Sequence, residues 1–297
     1  MTCPASLEES GGYRMRFPRT WMRQAAAGRR PGRRPCEGAI INTGGGMAGG
    51  DHLSIDVETK HRSNVLLSTP SAERVYNSTG PDTKVEIALR LEAGSRLAWL
   101  PRETILFSGA RLARCLDVDM HESATLILAE TTVFGRLAMG EALAKGLFAD
   151  RWRIRRDGRL MHAEQTRLDG AIGRLLDRPA IGNGARAAAT AIMVSPQAED
   201  RLDAVRAGLE GAHGECGASA WDGMLVGRFL AKDPAALQAD LVRFLLVVTQ
   251  GWLPHLWTAN REVSQGQGTA AIEQTAIPVR DWRDAAMREA EVEPDTA

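Results

Sequence analysis

The sequence predicts a mainly β protein: layered antiparallel sheets in one elongated domain with about two α-helices. Three observations carry that expectation. Between about residues 38 and 170, apolar residues recur at every second position, the period that turns one face of a strand to a core and the other outward. Turn residues punctuate these runs, as in Gly80-Pro81-Asp82, Ala93-Gly94-Ser95 and Asp157-Gly158. Helical segments of roughly ten to fifteen residues, which ordinarily join parallel strands, are missing here, and this favours antiparallel pairing.

Residues 1–36 read as an irregular basic segment, with Arg14, Arg16, Arg19 and Arg23 followed by Arg29, Arg30, Arg33 and Arg34. Gly28, Pro31, Gly32 and Pro35 argue for a loop there. Residues 37–258 form the β-rich domain. Leu53, Ile55 and Val57 alternate with His52, Ser54, Asp56 and Glu58, and Val85, Ile87, Leu89 and Leu91 with Glu86, Ala88 and Arg90. Leu116, Val118 and Met120 alternate with Asp117, Asp119 and His121, and Trp152 and Ile154 with Arg151, Arg153 and Arg155. The stretch 123–148 is rich in Ala and Leu and would also suit a helix.

Two helices are expected after residue 195. Pro196 opens the first, whose Leu202, Val205 and Leu209 share one face. Asp233 is a good N-cap and Pro234 a good first residue for the second. Its stripe of Leu237, Leu241, Phe244, Leu245 and Val248 ends at Gly251. A strand pattern around Met224 to Leu230 lies between them. Residues 259–297 are polar and nearly aperiodic, as in a disordered tail, with a short helix near Trp282.

Lys plus Arg and Asp plus Glu both number 37, so no whole-molecule field attracts nucleic acid or an anionic membrane. Cys3, Cys36, Cys115 and Cys216 are far apart and form no CxxC, as expected for reduced thiols. No apolar run approaches the ~20 residues of a membrane span. The N-terminal residues lack the apolar core of a signal peptide, and the paired arginines lack the apolar segment of a twin-arginine leader. The expected location is the cytoplasm. A sugar-binding platform is unattractive, because aromatic residues make up only 5% of the chain.

The most distinctive segment is GGGMAGGD at 44–51. A phosphate-binding loop would be followed by a helix presenting its N-terminal amides. The strand 52–59 follows instead, without a GK[ST] signature, so a wide turn between strands accounts for the glycines. Asp51 either caps that turn or stands at a functional surface.

INTGGGMAGGD at 41–51 resembles the signature of the UreD (UreH) family of urease accessory proteins. LSTPSAERVYNS at 67–78, LAWLPRETILFSGARL at 97–112 and ETTVFGRLAMGE at 130–141 follow in the family's order. LFADRWRIRRDGRL at 147–160, GASAWDGMLVGRFL at 217–230 and LPHLW at 253–257 complete the series. The resemblance covers roughly residues 38–257. Arg74 stands where the family commonly has Lys, and the segment 18–36 is longer and more basic than usual. The resemblance implies a β-rich fold with about two helices and a role in loading nickel into apo-urease. It also implies a complex with UreF and, through it, the GTPase UreG. It implies no enzymatic activity and no tightly bound cofactor, only transient Ni²⁺.

The six histidines form neither HxH nor HxxxH, so no preformed metal site is legible. Cys115 and His121 share a strand face, yet at ~3.3 Å per residue they stand ~20 Å apart. His213 and Cys216 are close enough in sequence for a loop to bring both to one ion. A protein that hands nickel onward is better served by weak oxygen ligands than by thiolates. Asp51, Glu73, Glu130 and Glu141 are therefore candidate lining for a wet internal passage or a urease-facing mouth. Glu130 is the sharpest, because it enters an apolar run and must be paired, hydrated or functional there. The plainer alternative is ordinary ion pairing, for example Glu141 with Arg136. Trp99, Arg102, Glu103, Arg136 and Asp150 are candidates for partner contacts, although core packing is the stronger reading of Trp99. Two other readings are a β-rich hydrolase using paired carboxylates such as Glu130 and Glu141, and a β-sandwich ligand-binding module.

Overall fold

A computed structural model describes residues 4–17 and 35–257. In chain order its strands are β1 (Tyr13–Arg16), β2 (Cys36–Asn42), β3 (His52–Thr59), β4 (Asn64–Ser68) and β5 (Glu73–Val75). Next come β6 (Thr83–Leu91), β7 (Arg96–Trp99), β8 (Thr104–Leu106), β9 (Arg111–Met120) and β10 (Thr125–Phe134). The series ends with β11 (Gly146–Arg156), β12 (Arg159–Gly170), β13 (Ala187–Val194), β14 (Glu215–Trp221) and β15 (Met224–Ala231). The helices are α1 (Ile172–Leu176), α2 (Leu202–Gly208) and α3 (Pro234–Val248), with single 3₁₀ turns at Leu137–Met139 and Glu199–Arg201. The protein is mainly β, as expected.

A small sheet runs in the order β12-β11-β9-β6-β3. A large sheet runs β1-β2-β4-β7-β10-β13-β15-β14, with β5 and β8 branching beside β10. The chain passes repeatedly from one sheet to the other. After β3 in the small sheet come β4 and β5 in the large one, then β6, then β7 and β8, then β9, β10 and β11. Each circuit lays its strand beside the last, so β3, β6, β9 and β11 pair in parallel, as do β2, β4, β7 and β10.

This corrects the antiparallel expectation. Parallel neighbours need a long crossover, and here the crossovers are strands of the opposite sheet rather than helices. Segments 60–82, 92–110 and 121–145 supply them. Among the named strands, antiparallel pairing joins β1 to β2, β11 to β12 and the β10-β13-β15-β14 end of the large sheet. A second correction falls at the N-terminus: Tyr13–Arg16, within the segment expected to be irregular, is a strand paired to β2. The tail from 259 and the arginines at 19–34 lie outside the described residues.

Three layers result. Between the sheets lies a core that includes Leu89, Leu116, Leu126, Leu128, Val118 and Ile154, all essentially inaccessible. On the other face of the large sheet, α2 and α3 cover Ile127, Ala129, Val133, Ala189 and Phe229. The expected stripe of α3 is buried from Leu237 to Val248, and Asp233 accepts hydrogen bonds from the N–H groups of Ala235 and Ala236 at 3.1 and 3.2 Å. β10 therefore has apolar partners on both faces. This explains why its sequence lacks alternation and looks helical: a strand covered on both sides reads as a continuous apolar run.

The glycine-rich turn docks onto β5. Met47 is 4% exposed; its N–H donates to the Arg74 carbonyl at 2.7 Å, and its carbonyl accepts from Tyr76 N–H at 2.8 Å. A Cβ at Gly46 would lie 2.6 Å from the Tyr76 ring, and one at Gly49 would lie 2.1 Å from Ser78 Oγ. Close approach thus demands glycine at both positions. Asp51 caps the turn, its Oδ2 accepting from Ala48 N–H at 2.7 Å.

Candidate functional site

The inward-facing residues of β9 are Leu112, Arg114, Leu116, Val118 and Met120. One of these five is an arginine, and it points between the sheets. Arg114, 5% exposed, is met by two carboxylates. Asp150 stands directly opposite it on the neighbouring strand β11 and receives a two-pronged contact. Arg114 Nε donates to Asp150 Oδ1 at 2.9 Å and Nη2 to Oδ2 at 2.6 Å. Across the gap, Glu130 on β10 takes the remaining prong, Nη1 to Oε2. Two indoles complete the set. Trp99 Nε1 donates to Glu130 Oε1 at 2.7 Å and Trp152 Nε1 to Asp150 Oδ1 at 3.1 Å.

Burial pushes the Glu130 carboxyl above the ordinary carboxylate range, against the opposing pull of Arg114 and the Trp99 N–H. One guanidinium facing two carboxylates carries a net negative charge when both are ionised, which a low-dielectric interior disfavours. The Arg114 guanidinium is held firmly protonated: burial opposes its charge, and Asp150 and Glu130 together outweigh that opposition.

Two cavities flank this group. The larger, about 500 Å³, lies between the sheets toward β12 and β14, and its lining includes Asp150, Thr132, Thr166, Glu164 and Cys216. It reaches the exposed residues Glu215 and Ile181. The smaller, about 50 Å³, lies toward the N-terminal strands and reaches half-buried Tyr13, Glu73 and Arg102. Both have room for water beside polar groups able to bind it. Among the described residues, Arg114 and Glu130 are the two that line both cavities.

Each cavity carries its own polar wall. At the smaller, Glu73 Oε2 accepts from Tyr13 Oη at 3.1 Å and from Asn42 Nδ2 at 2.9 Å. Burial and the neighbouring Glu73 charge raise the Tyr13 phenol well above its ordinary value. At the larger, Glu164 on β12 is gripped from the other sheet by Arg228, at 2.7 and 2.9 Å, with His162 Nε2 at 3.2 Å. Against the cost of burial, His162 and Arg228 hold the Glu164 carboxyl down at about 2.

The other residues singled out in the sequence scatter. Glu141 accepts from Ser108 N–H at 2.7 Å and pairs with Arg136, which sits 4.6 Å over the Phe107 ring. The Ser108 N–H and Arg136 keep its carboxyl below the ordinary range. Glu141 lines neither of the two cavities that Glu130 faces, so these carboxylates do not share a cleft. Arg102 pairs with Glu103 at 3.4 Å and lies 5.8 Å from the Trp257 ring centre.

Trp99 is buried at 3%, in keeping with the core-packing reading, and Asp150, a candidate for partner contacts, is buried at 9%. Both occupy inward positions of their strands. His213 turns to Asp240, with Nδ1 3.1 Å from Oδ1, while Cys216 lines the larger cavity with its thiol pushed up by burial and by Asp240. Among the described residues no group of three or more His, Cys, Asp and Glu side chains is placed to hold a metal ion.

The model of the UreD urease accessory protein family matches residues 2–264. A protein named urease accessory protein UreD from Rhodopseudomonas palustris (strain BisA53) is 45% identical over 251 residues, covering 84% of this chain and 83% of that one. A UreD from Azorhizobium caulinodans is 41% identical over 85% of this chain and 89% of its own. UreD 3 of Methylorubrum extorquens (strain PA1) is 46% identical over 84% of this chain and 82% of its own. The chain belongs to the UreD family.

Within this UreD fold, the residue that sequence reading missed is Arg114. Its signal was available: carrying the Leu116–Met120 alternation back by two residues places Arg114 on the apolar face. The same parity places Asp150 inward, two residues before Trp152 and four before Ile154. An arginine and an aspartate at core parity on strands that turn out to be neighbours announce each other, because a buried charge needs a partner.

Proposed function

We propose that this UreD-family protein is a scaffold for urease maturation that performs no bond-making of its own. It joins apo-urease to UreF and, through UreF, to the GTPase UreG, and it helps nickel reach the urease metal site in the cytoplasm. The observation that carries the proposal is the pair of cavities that meet at Glu130, each with carboxylates in its wall, inside a member of this family. Carboxylate oxygens at Glu73, Glu130 and Asp150 suit a cargo that must be released, since hard oxygen ligands bind nickel less tightly than imidazole or thiolate. Nickel is cargo on this reading, passing between the sheets without a resident site. Family membership supports the maturation role, because the relatives are named urease accessory proteins.

The test is deletion of the chain in a urease-producing cell, combined with affinity capture of the tagged protein. Urease polypeptide should persist with less than a tenth of its activity, recovering partly with excess nickel and bicarbonate. The tagged protein should bring down urease subunits and UreF. Fully nickel-loaded urease in the deletion strain would sink the proposal, as would catalytic turnover by the isolated chain.

A further inference from the structure

Arg114 is held unequally by its two carboxylates. Its two-pronged contact with Asp150 lies within the small sheet, between strands whose backbones are hydrogen-bonded and in register at those residues. Its contact with Glu130 is a single prong that spans the gap to the large sheet. No backbone ladder fixes that second distance. If the group opens, it opens at Glu130.

The same single contact separates the two cavities, because Arg114 and Glu130 are the described residues that border both. A cation moving from one cavity to the other passes both the Glu130 carboxylate and the Arg114 guanidinium, a like charge in a medium that screens it poorly. It crosses only by taking the Glu130 carboxylate from Arg114. We propose that the Arg114–Glu130 contact is an ion-exchange latch: a dication binds Glu130 as Arg114 withdraws onto Asp150, and the contact re-forms once the ion has moved on.

The exchange has a consequence for selectivity. The ion must compete with a guanidinium for one carboxylate, so weak oxygen binders are turned back. Across the first-row divalent series Mn²⁺ binds more weakly than Ni²⁺, and the latch discriminates against it. This inference rests on the passage reading above, and its test separates the two.

The experiment matures urease in cells carrying the complete accessory set, with nickel and manganese supplied together. The metals in purified urease are measured, along with the amount of the chain copurifying with urease. Glu130→Gln removes the anionic ligand, and nickel per urease should fall at least about fivefold with the complex intact. Glu130→Asp keeps the anion but shortens its reach to Arg114. It should retain at least about half of the nickel while the manganese-to-nickel ratio rises at least about threefold.

Ala188→Trp, or Leu168→Trp should the first fail to fold, fills the larger cavity while leaving Arg114, Glu130 and Asp150 in place. It should block loading of both metals. Normal nickel in those cavity-filling variants overturns the passage reading itself. A blocked cavity variant combined with normal loading by Glu130→Gln overturns the latch and leaves the passage standing. An unchanged manganese-to-nickel ratio in Glu130→Asp also overturns the latch, as does loading that follows only melting temperature across the two Glu130 variants.

Discussion

At the scale of single residues, the interior of this protein is governed by what a buried charge requires. Arg114 is nearly inaccessible, and each of its three guanidinium nitrogens donates to a carboxylate oxygen. Replacing it by Met leaves two carboxylates facing each other without a cation, and loss of one partner from a buried ion pair costs about 3–5 kcal/mol. Urea unfolding of Arg114→Met should show a loss of that size, whereas Glu130→Gln, which keeps an acceptor for Trp99, should lose less than half as much. The Glu164 clamp makes a pH prediction. Its carboxyl stands at about 2 in the folded chain against an ordinary 4.5. A depressed acid stabilises the fold above its unfolded value, so this contribution is complete above about pH 4.5 and disappears as pH falls toward 2. Its size, reduced for partial exposure, is roughly 1–3 kcal/mol. Glu164→Gln should flatten the acid limb of the stability curve; an unchanged limb would show that the clamp does not matter.

At the scale of elements, what could be read from the sequence depended on how many faces of a strand are covered. β3, β6 and β9 each turn one side outward, and their period-two patterns were legible at once. β10 is covered on both sides by the small sheet and by α3, and its signal merged with that of a helix. Strand direction was not legible at all, because the crossovers are themselves strands and leave no helical signature between parallel neighbours. Capping was legible to the residue. Asp233→Ala removes both acceptors for the first turn of α3 and should cost about 1 kcal/mol in thermal unfolding. The glycine-rich turn was recognised as a turn, but its docking on β5 depends on Tyr76 and Ser78, which are distant in sequence. Gly49→Ala would press a methyl group into Ser78 Oγ and the Pro81 carbonyl. A destabilisation of about 1–3 kcal/mol is expected from such overpacking; a neutral result would mean that the turn can move off β5.

At the scale of the whole described molecule, the ends of the domain meet. Glu37, at the start of β2, accepts from the His255 N–H at 2.9 Å and lies 2.6 Å from its Nδ1. The final segment is thereby tied to one of the first strands, with Arg102 beside Trp257 as a second contact. Glu37→Ala should raise hydrogen exchange across residues 253–257 by roughly tenfold, the equivalent of about 1.4 kcal/mol, while β9 stays protected. Equal loss of protection in β9 would show that the tie supports the entire fold rather than its end. The sequence named LPHLW as a family segment but could not reveal what it grips, since nothing in the run CEGAIIN marks Glu37 as the partner of a residue so far downstream.

The outer face of β10 and β13 is covered by α3, which lies far downstream in the chain. During synthesis at roughly 5–20 residues per second, on the order of ten seconds pass between emergence of Val133 and emergence of Phe244. Throughout that interval Ile127, Ala129 and Val133 present a bare hydrophobic surface on a nascent polypeptide. Prompt elongation through α3 should therefore limit aggregation, and codon changes that stall elongation between β13 and α3 should raise the aggregated fraction without altering a single side chain.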